Sequence, residues 1–196
     1  MTPVSEDNKA IARAVISAFG GSPQIHRFWD ESKIGSVDIV ECPDRPEAGV
    51  SSFGTIGVSD TPNQAEPGGK DTRIELLGAC SAPTSGFDNV LSMAAFSVIN
   101  TRRFCAPGVI FPNIVAMYGL SQTMKHLMFV QPFLWDGALT TLELETKQVA
   151  WLLAVPISEA EYAMAKDQGS DALEEQFELQ QIDLFDLNRP CVASAG

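Results

Sequence analysis

With 196 residues, the chain is long enough to bury one sizeable core. Hydrophobic residues make up 45 % and charged residues 19 %, which excludes a disordered polymer, and no apolar run approaches the ~20 residues that span a bilayer. The balance of 13 basic against 25 acidic residues, a formal −12, repels nucleic acid and anionic membranes and attracts a basic partner.

The N-terminal segment, Met1-Thr-Pro-Val-Ser-Glu-Asp-Asn-Lys9, has no basic stretch followed by an apolar one, so no signal peptide is expected there and a cytoplasmic protein is. Ile11, Ala14, Val15 and Ala18 recur at helical spacing, with Ser5 and Asn8 as a partial cap and Gly20-Gly21 as the stop. This predicts an N-terminal helix within residues 1–21. Ile25 to Trp29 and Ser36 to Val40 follow as short strands, and Cys42-Pro-Asp-Arg-Pro-Glu-Ala-Gly49 as a turn, because two prolines and a glycine cannot continue a ladder.

Val50 to Val58 is the next expected strand. A loop from Asp60 to Asp71, with two prolines and two glycines, is expected to be the most mobile segment. Thr72 to Ala79 returns as a strand. Asp88 or Ser85 is placed to cap a helix running to about Asn100, whose Val90, Leu91, Ala94, Ala95 and Val98 form a stripe too broad for a lone surface helix. That helix must pack on the sheet. Phe104 to Asn113 is expected to be a loop and short strand. Lys125 to Val130 and Thr140 to Glu145 read as strands, and the wholly apolar Val149 to Val155 as a central one ended by Pro156.

The C-terminal quarter carries the clearest local signals. Ser158-Glu-Ala-Glu161 has capping-box spacing, and its helix should stop at Gly169. Asp171 to Glu174 repeats the signal for a second helix with Leu173 and Phe177 facing inward. Ile182, Leu184 and Leu187 then predict an extended closing strand ending at Asp186, Arg189 and Pro190. Arg189 is expected to reach a carboxylate or strand-end carbonyls and pin the terminus, since its guanidinium makes forked bonds that lysine cannot copy.

Chemistry finds little support in these residues. Cys42, Cys80, Cys105 and Cys191 are widely separated and read as free thiols of a reducing compartment, not as metal ligands. His26 and His126 adjoin no nucleophile-elbow sequence, and Phe19-Gly20-Gly21-Ser22 follows a helix and lacks the lysine of a phosphate loop. No cofactor or metal is expected, and a hydrolase is the weakest reading. From Ser158 to Arg189 nine carboxylates face Lys166 and Arg189 alone. A solvated face explains them; the alternative is a surface, including Glu174, Glu175 and Glu178, on which a basic partner docks.

Five segments in this order resemble the suppressor-of-fused domain over roughly Ile25 to Val192. They are Ser51-Ser-Phe-Gly-Thr-Ile-Gly-Val-Ser-Asp60, with Gly57, Ser59 and Asp60 at the strand end; Arg73-Ile-Glu-Leu-Leu77; Leu91 to Asn100 with Phe104-Cys-Ala-Pro-Gly108; Lys125 to Leu134; and Trp151 to Arg189. The resemblance implies an α+β fold: a single domain over residues 1–196, with a mixed, mostly antiparallel sheet flanked by helices. It also implies a non-catalytic role. The family's animal member sequesters a short peptide of a transcription factor, and stand-alone bacterial versions lie beside toxin genes as immunity proteins. The family's peptide-facing positions fall on Phe96, Phe104 and Gly108, and the animal form's acidic residue after that glycine is Val109 here. The implied function is an immunity protein that binds and neutralises a toxin, its partner being a basic toxin domain. The alternative is a regulatory adaptor that holds a short peptide as an added strand or in a groove.

Overall fold

The computed structural model describes residues 4–64, 73–81 and 86–193. Helix α1 (Glu6–Phe19) leads into three antiparallel strands, β1 (Gln24–Trp29), β2 (Ser36–Cys42) and β3 (Val50–Ile56). Strand β4 (Arg73–Ser81) continues the antiparallel run and helix α2 (Phe87–Thr101) follows it. Then come β5 (Ile110–Phe111), β6 (Met124–Val130), β7 (Leu142–Glu143) and β8 (Gln148–Ser158). Helices α3 (Glu159–Gln168) and α4 (Ser170–Leu179) lie close to the C-terminus.

The strands form one sheet in the order β1-β2-β3-β4-β8-β6-β5, with β7 beside the start of β8. All pairs are antiparallel except β4 with β8, where Arg73 lies opposite Val149 and Leu77 opposite Leu153. The mixed, mostly antiparallel sheet flanked by helices is therefore present. Period-two alternation sends neighbours such as Ile39 and Val40, or Leu76 and Leu77, to opposite faces, and both faces are covered. On one, α2 lays Val90, Leu91, Ala94, Ala95 and Val98 against Ile39, Phe53, Leu76, Phe129 and Leu152. On the other, α1, α3, α4 and the loop after β6 cover Val40, Leu77, Met128, Val130, Leu153 and Val155. A helical layer on each face explains why the central strands β4 and β8 are buried almost throughout, whereas the edge strand β1 is exposed.

Local signals account for the ends of several elements. Ser5 Oγ accepts the Asn8 amide at 3.1 Å and caps α1, and Gly20, at φ +70°, ends it. The Ser158–Glu161 capping box is complete in both directions. Four expectations need correction. Helix α2 starts from Gly86 at φ +102° with no side-chain cap, and Asp88 lies inside its first turn; the Ser85 alternative is outside the described residues. Helix α4 likewise starts from Gly169, with Asp171 inside its first turn. Pro156 does not end β8: the ladder to β4 stops at Leu153, so the missing N–H costs no bond there, and the strand runs on to Ser158.

The fourth correction concerns the closing strand, which does not form. Asp183 Oδ1 accepts from the Phe185 amide at 2.9 Å and Asp186 Oδ1 from the Asn188 amide at 2.8 Å. These Asx turns fold the backbone away from any ladder. One backbone bond, from Ser81 N–H to the Phe185 carbonyl at 2.9 Å, ties the segment to β4. In the Asp60–Asp71 loop, Asn63 is buried, its amide group bonded to the Cys105 backbone in both directions at 2.6 and 2.9 Å. The rest of that loop, from residue 65, lies outside the described residues.

Candidate functional site

The sequence pattern Gly57-Val58-Ser59-Asp60 is built around a buried carboxylate. Gly57, at φ +109°, turns the chain out of β3 into a 3-10 turn over Val58–Asp60. The amides of Gly57, Val58 and Ser59 donate to Glu75 on β4 at 2.9, 3.3 and 3.0 Å, and Thr55 Oγ1 donates at 2.6 Å. Glu75 is fully buried, and burial pushes its carboxyl above the ordinary range against the pull of those donors. Asp60 then links distant elements, accepting from Asn8 of α1 at 2.9 Å and from Lys147 beside β8 at 2.8 Å. This cluster shapes the fold and offers no open position for chemistry.

A second buried centre closes the C-terminus. Arg189, 3 % exposed, forks onto Glu161 at 2.7 and 3.0 Å and donates to the carbonyls of Pro156 and Pro190, each at 3.1 Å. Glu161 also accepts the Ser158 and Val192 amides at 2.8 and 2.9 Å. Glu161 therefore belongs to the core and not to the solvated acidic face with which its charge grouped it. The arginine also lies over the Phe177 ring, 5.1 Å from its centroid, so one side chain joins β8, α3, α4 and the last residues.

The histidines are far from catalytic geometry. His26 sits exposed on β1, 4.0 Å from Glu41. His126 is buried; its Nδ1 accepts the Asn113 amide at 2.9 Å, its ring lies 4.7 Å from that of Tyr162, and Nε2 is 3.3 Å from Glu159. Burial lowers its pKa against the opposing charge of Glu159, so it is a neutral packing group beside a carboxylate. Among the described residues no cluster of His, Cys, Asp and Glu could hold a metal, and the four cysteines are free. No helix there is long and apolar enough to cross a membrane.

Two grooves among the described residues have a mainly apolar lining that could receive a partner. The first, about 490 Å³, lies between the β1–β2 hairpin and the outer side of α2, lined by Phe28, Trp29, Met93, Phe96 and Tyr118 and rimmed by Asp30 and Glu31. Asp30 fixes its hairpin wall by accepting from the amides of Ile34 and Gly35 at 3.1 and 3.2 Å. The second, about 370 Å³, lies between α4 and the end of the sheet, lined by Val130, Phe133, Val155, Phe177, Ile182 and Leu184, with Glu174 and Glu178 among the remaining lining residues.

The model of the suppressor of fused protein (SUFU) family matches residues 35–190. The chain belongs to that family. It is 46 % identical over 189 residues, 96 % of this chain and 98 % of the other, to immunity protein YqcF of Bacillus subtilis strain 168. Among solved structures, a suppressor of fused homologue from Neisseria gonorrhoeae superposes with a TM-score of 0.71 at 16 % identity, over 97 % of this chain and 99 % of that one. A chain of the Sufu–Fu complex gives 0.69 at 14 %, covering 95 % and 92 %. Drosophila Suppressor of Fused gives 0.68 at 14 %, with 95 % of this chain spanning 51 % of that protein. At such identities the structures establish the fold alone.

The positions singled out by likeness to the suppressor of fused family scatter over different settings. Phe96 lines the α2 groove, whereas Phe104, Gly108 and Val109 do not. Phe104 is half-buried beside the pinned Cys105. Gly108, at φ +82°, donates to the Phe129 carbonyl at 2.7 Å, and a Cβ there would lie 2.4 Å from Ser170 Oγ. Val109 packs against the α2-side core. Of the three glutamates, Glu174 and Glu178 border the α4 groove, while Glu175 faces solvent away from it. Sequence reasoning missed Phe28, Trp29 and Phe133; Trp29 and Phe133 are 53 % and 59 % exposed. An aromatic in an edge strand, or just after Pro132, was the available signal.

Proposed function

We propose that this chain is an immunity protein that binds a cognate toxin directly and blocks it, without catalysis of its own. The single observation that carries this reading is the 46 % identity to immunity protein YqcF over nearly the full length of both chains. The form of the molecule supports it: the Glu75 and Glu161–Arg189 clusters are buried away from solvent, while the grooves beside α2 and α4 are apolar with acidic rims. An acidic inhibitor meeting a basic toxin gains association rate from opposite charge, and protection needs a Kd of roughly nanomolar or tighter. The partner is accordingly a basic toxin domain, met in the cytoplasm.

Co-expression with each candidate toxin encoded beside its own gene tests the reading. One of them should arrest growth alone and lose that effect when this chain is present, and the two proteins should co-purify. Growth arrest by every such toxin despite abundant folded chain excludes the proposal.

The alternative, an adaptor that holds a short peptide, draws its support from the α2 groove, where Phe28, Trp29, Met93 and Phe96 provide an aromatic and thioether lining beside an edge strand. Recognition there would depend on Phe96 and change little with salt, unlike binding through carboxylates.

A further inference from the structure

The α4 groove is formed where two segments stand off from the sheet. Its floor is Val130 at the end of β6 and Val155 on β8. One wall is α4, through Phe177, followed by Gln181 at φ +47°, which turns the chain back so that Ile182 and Leu184 complete that side. The Ile182 amide bonds to the Phe177 carbonyl at 3.3 Å and the Phe185 carbonyl is held by Ser81, so this wall is fixed at both ends. The opposite side is bordered by Phe133, which is exposed.

The groove's charge is unmatched. Glu174 and Glu178 stand one helical turn apart at the mouth, burial and then the charges of Asp171 and Glu178 raise the carboxyl of Glu174, and among the described residues no cation lies within ion-pair distance of any of them. An apolar floor beneath unpaired carboxylates is a combination that a folded chain does not need for itself. A second copy of this chain is a poor occupant, because two molecules of formal charge −12 repel one another as they approach.

We infer that the groove between α4 and Phe133 is the docking site for a partner segment that presents a bulky apolar side chain next to lysine or arginine. The apolar group seats on Val130, Val155 and Phe177, and the cation spans Glu174 and Glu178. This rests on the immunity reading for the identity of the partner as a toxin, but not for the chemistry of the site. Such a pairing combines an anchor that fills a pocket with charges that steer the approach.

The test uses the full-length chain, isotopically labelled, and three synthetic peptides of one length: lysine alternating with leucine and phenylalanine, the same with glutamate in place of lysine, and a neutral version. The basic peptide should shift the backbone signals of Phe133, Phe177, Ile182 and Leu184. The acidic one should leave them in place. Glu174→Gln with Glu178→Gln, surface changes that keep the fold, should weaken the basic peptide roughly tenfold. Equal binding of acidic and basic peptides, shifts elsewhere, no binding, or indifference to the double substitution overturns the inference. A toxin neutralised equally by the parent and the double variant would also remove the groove from the interface while leaving the immunity reading intact. A chain that binds the basic peptide but neutralises no toxin would do the reverse.

Discussion

Arg189 and Glu161, 28 residues apart in sequence, form a forked ion pair at 2.7 and 3.0 Å in which both side chains are almost wholly buried. Each end of the pair is further committed, the arginine to two proline carbonyls and the glutamate to two amides. Removing one partner leaves the other charged and unpaired in the core, which costs about 3–5 kcal/mol. Arg189→Ala should lower the unfolding free energy by that amount, and Arg189→Lys should restore only part of it because an ammonium cannot fork. Denaturant titration measures both. An Arg189→Ala protein as stable as the parent would show that the pair is not structural.

The same pair sets an acid limit. Burial alone would raise the Glu161 carboxyl, but hydrogen bonds from Arg189, the Ser158 and Val192 amides and the guanidinium charge outweigh it and hold the carboxyl below its ordinary 4.5. A carboxyl depressed in the folded state adds stability that is present above its unfolded pKa and is lost as pH falls through the folded one. Melting temperature should therefore drop below about pH 4.5, and Arg189→Ala should flatten that acid limb.

Glu75 on β4 is held by the turn that follows β3. Glu75→Ala leaves the amides of Gly57, Val58 and Ser59 without their acceptor and should cost at least ~2 kcal/mol. Hydrogen exchange should quicken first at Val58 and Ser59. Exchange unchanged at those two amides would mean that water replaces the carboxylate without penalty.

Gly108 meets two demands at once, a positive φ and the close approach of Ser170. Gly108→Ala should destabilise by about 1–3 kcal/mol, and adding Ser170→Gly should recover part of the loss by removing the clash but not the backbone strain. A double-mutant cycle reads the coupling. No coupling at all would place the loop clear of α4.

Binding to a toxin should weaken as salt rises if carboxylates carry recognition. Phe96→Ala should leave that binding unchanged if the α4 groove is the interface. The opposite pattern, salt-insensitive binding lost with Phe96, favours the peptide-holding alternative. Calorimetry at two ionic strengths separates them.

Much of the fold was legible because its signals are local. The stripe of Val90, Leu91, Ala94, Ala95 and Val98 named both a helix and its burial, and Ser158-Glu-Ala-Glu161 named a helix start to the residue. What was misread depended on distant partners. Pro156 looked like a strand end, but whether a proline interrupts a ladder depends on where the neighbouring strand stops. Ile182 to Leu187 looked extended by its apolar spacing, yet Asp183 and Asp186 each captured a nearby amide. Glu161 looked like a surface carboxylate because nothing in its own helix reveals Arg189. The α4 groove was half visible: its glutamates stood out as charge, while its floor joins Val130 of β6 to Val155 of β8, two segments distant in sequence.

The single parallel pairing among the described strands has a bearing on timing. Residues of β4 meet partners in β8 a constant 76 positions later, as with Arg73 and Val149 or Leu77 and Leu153. The first four strands can form hairpins as they leave the ribosome, but the centre of the sheet has to wait for β8, and the Arg189–Glu161 pair for residues later still. Long-range closure of this kind is slow compared with local folding. A sheet closed in this way becomes complete only after β8 has been made, so whatever this chain binds, it can bind only some time after its first strands have formed.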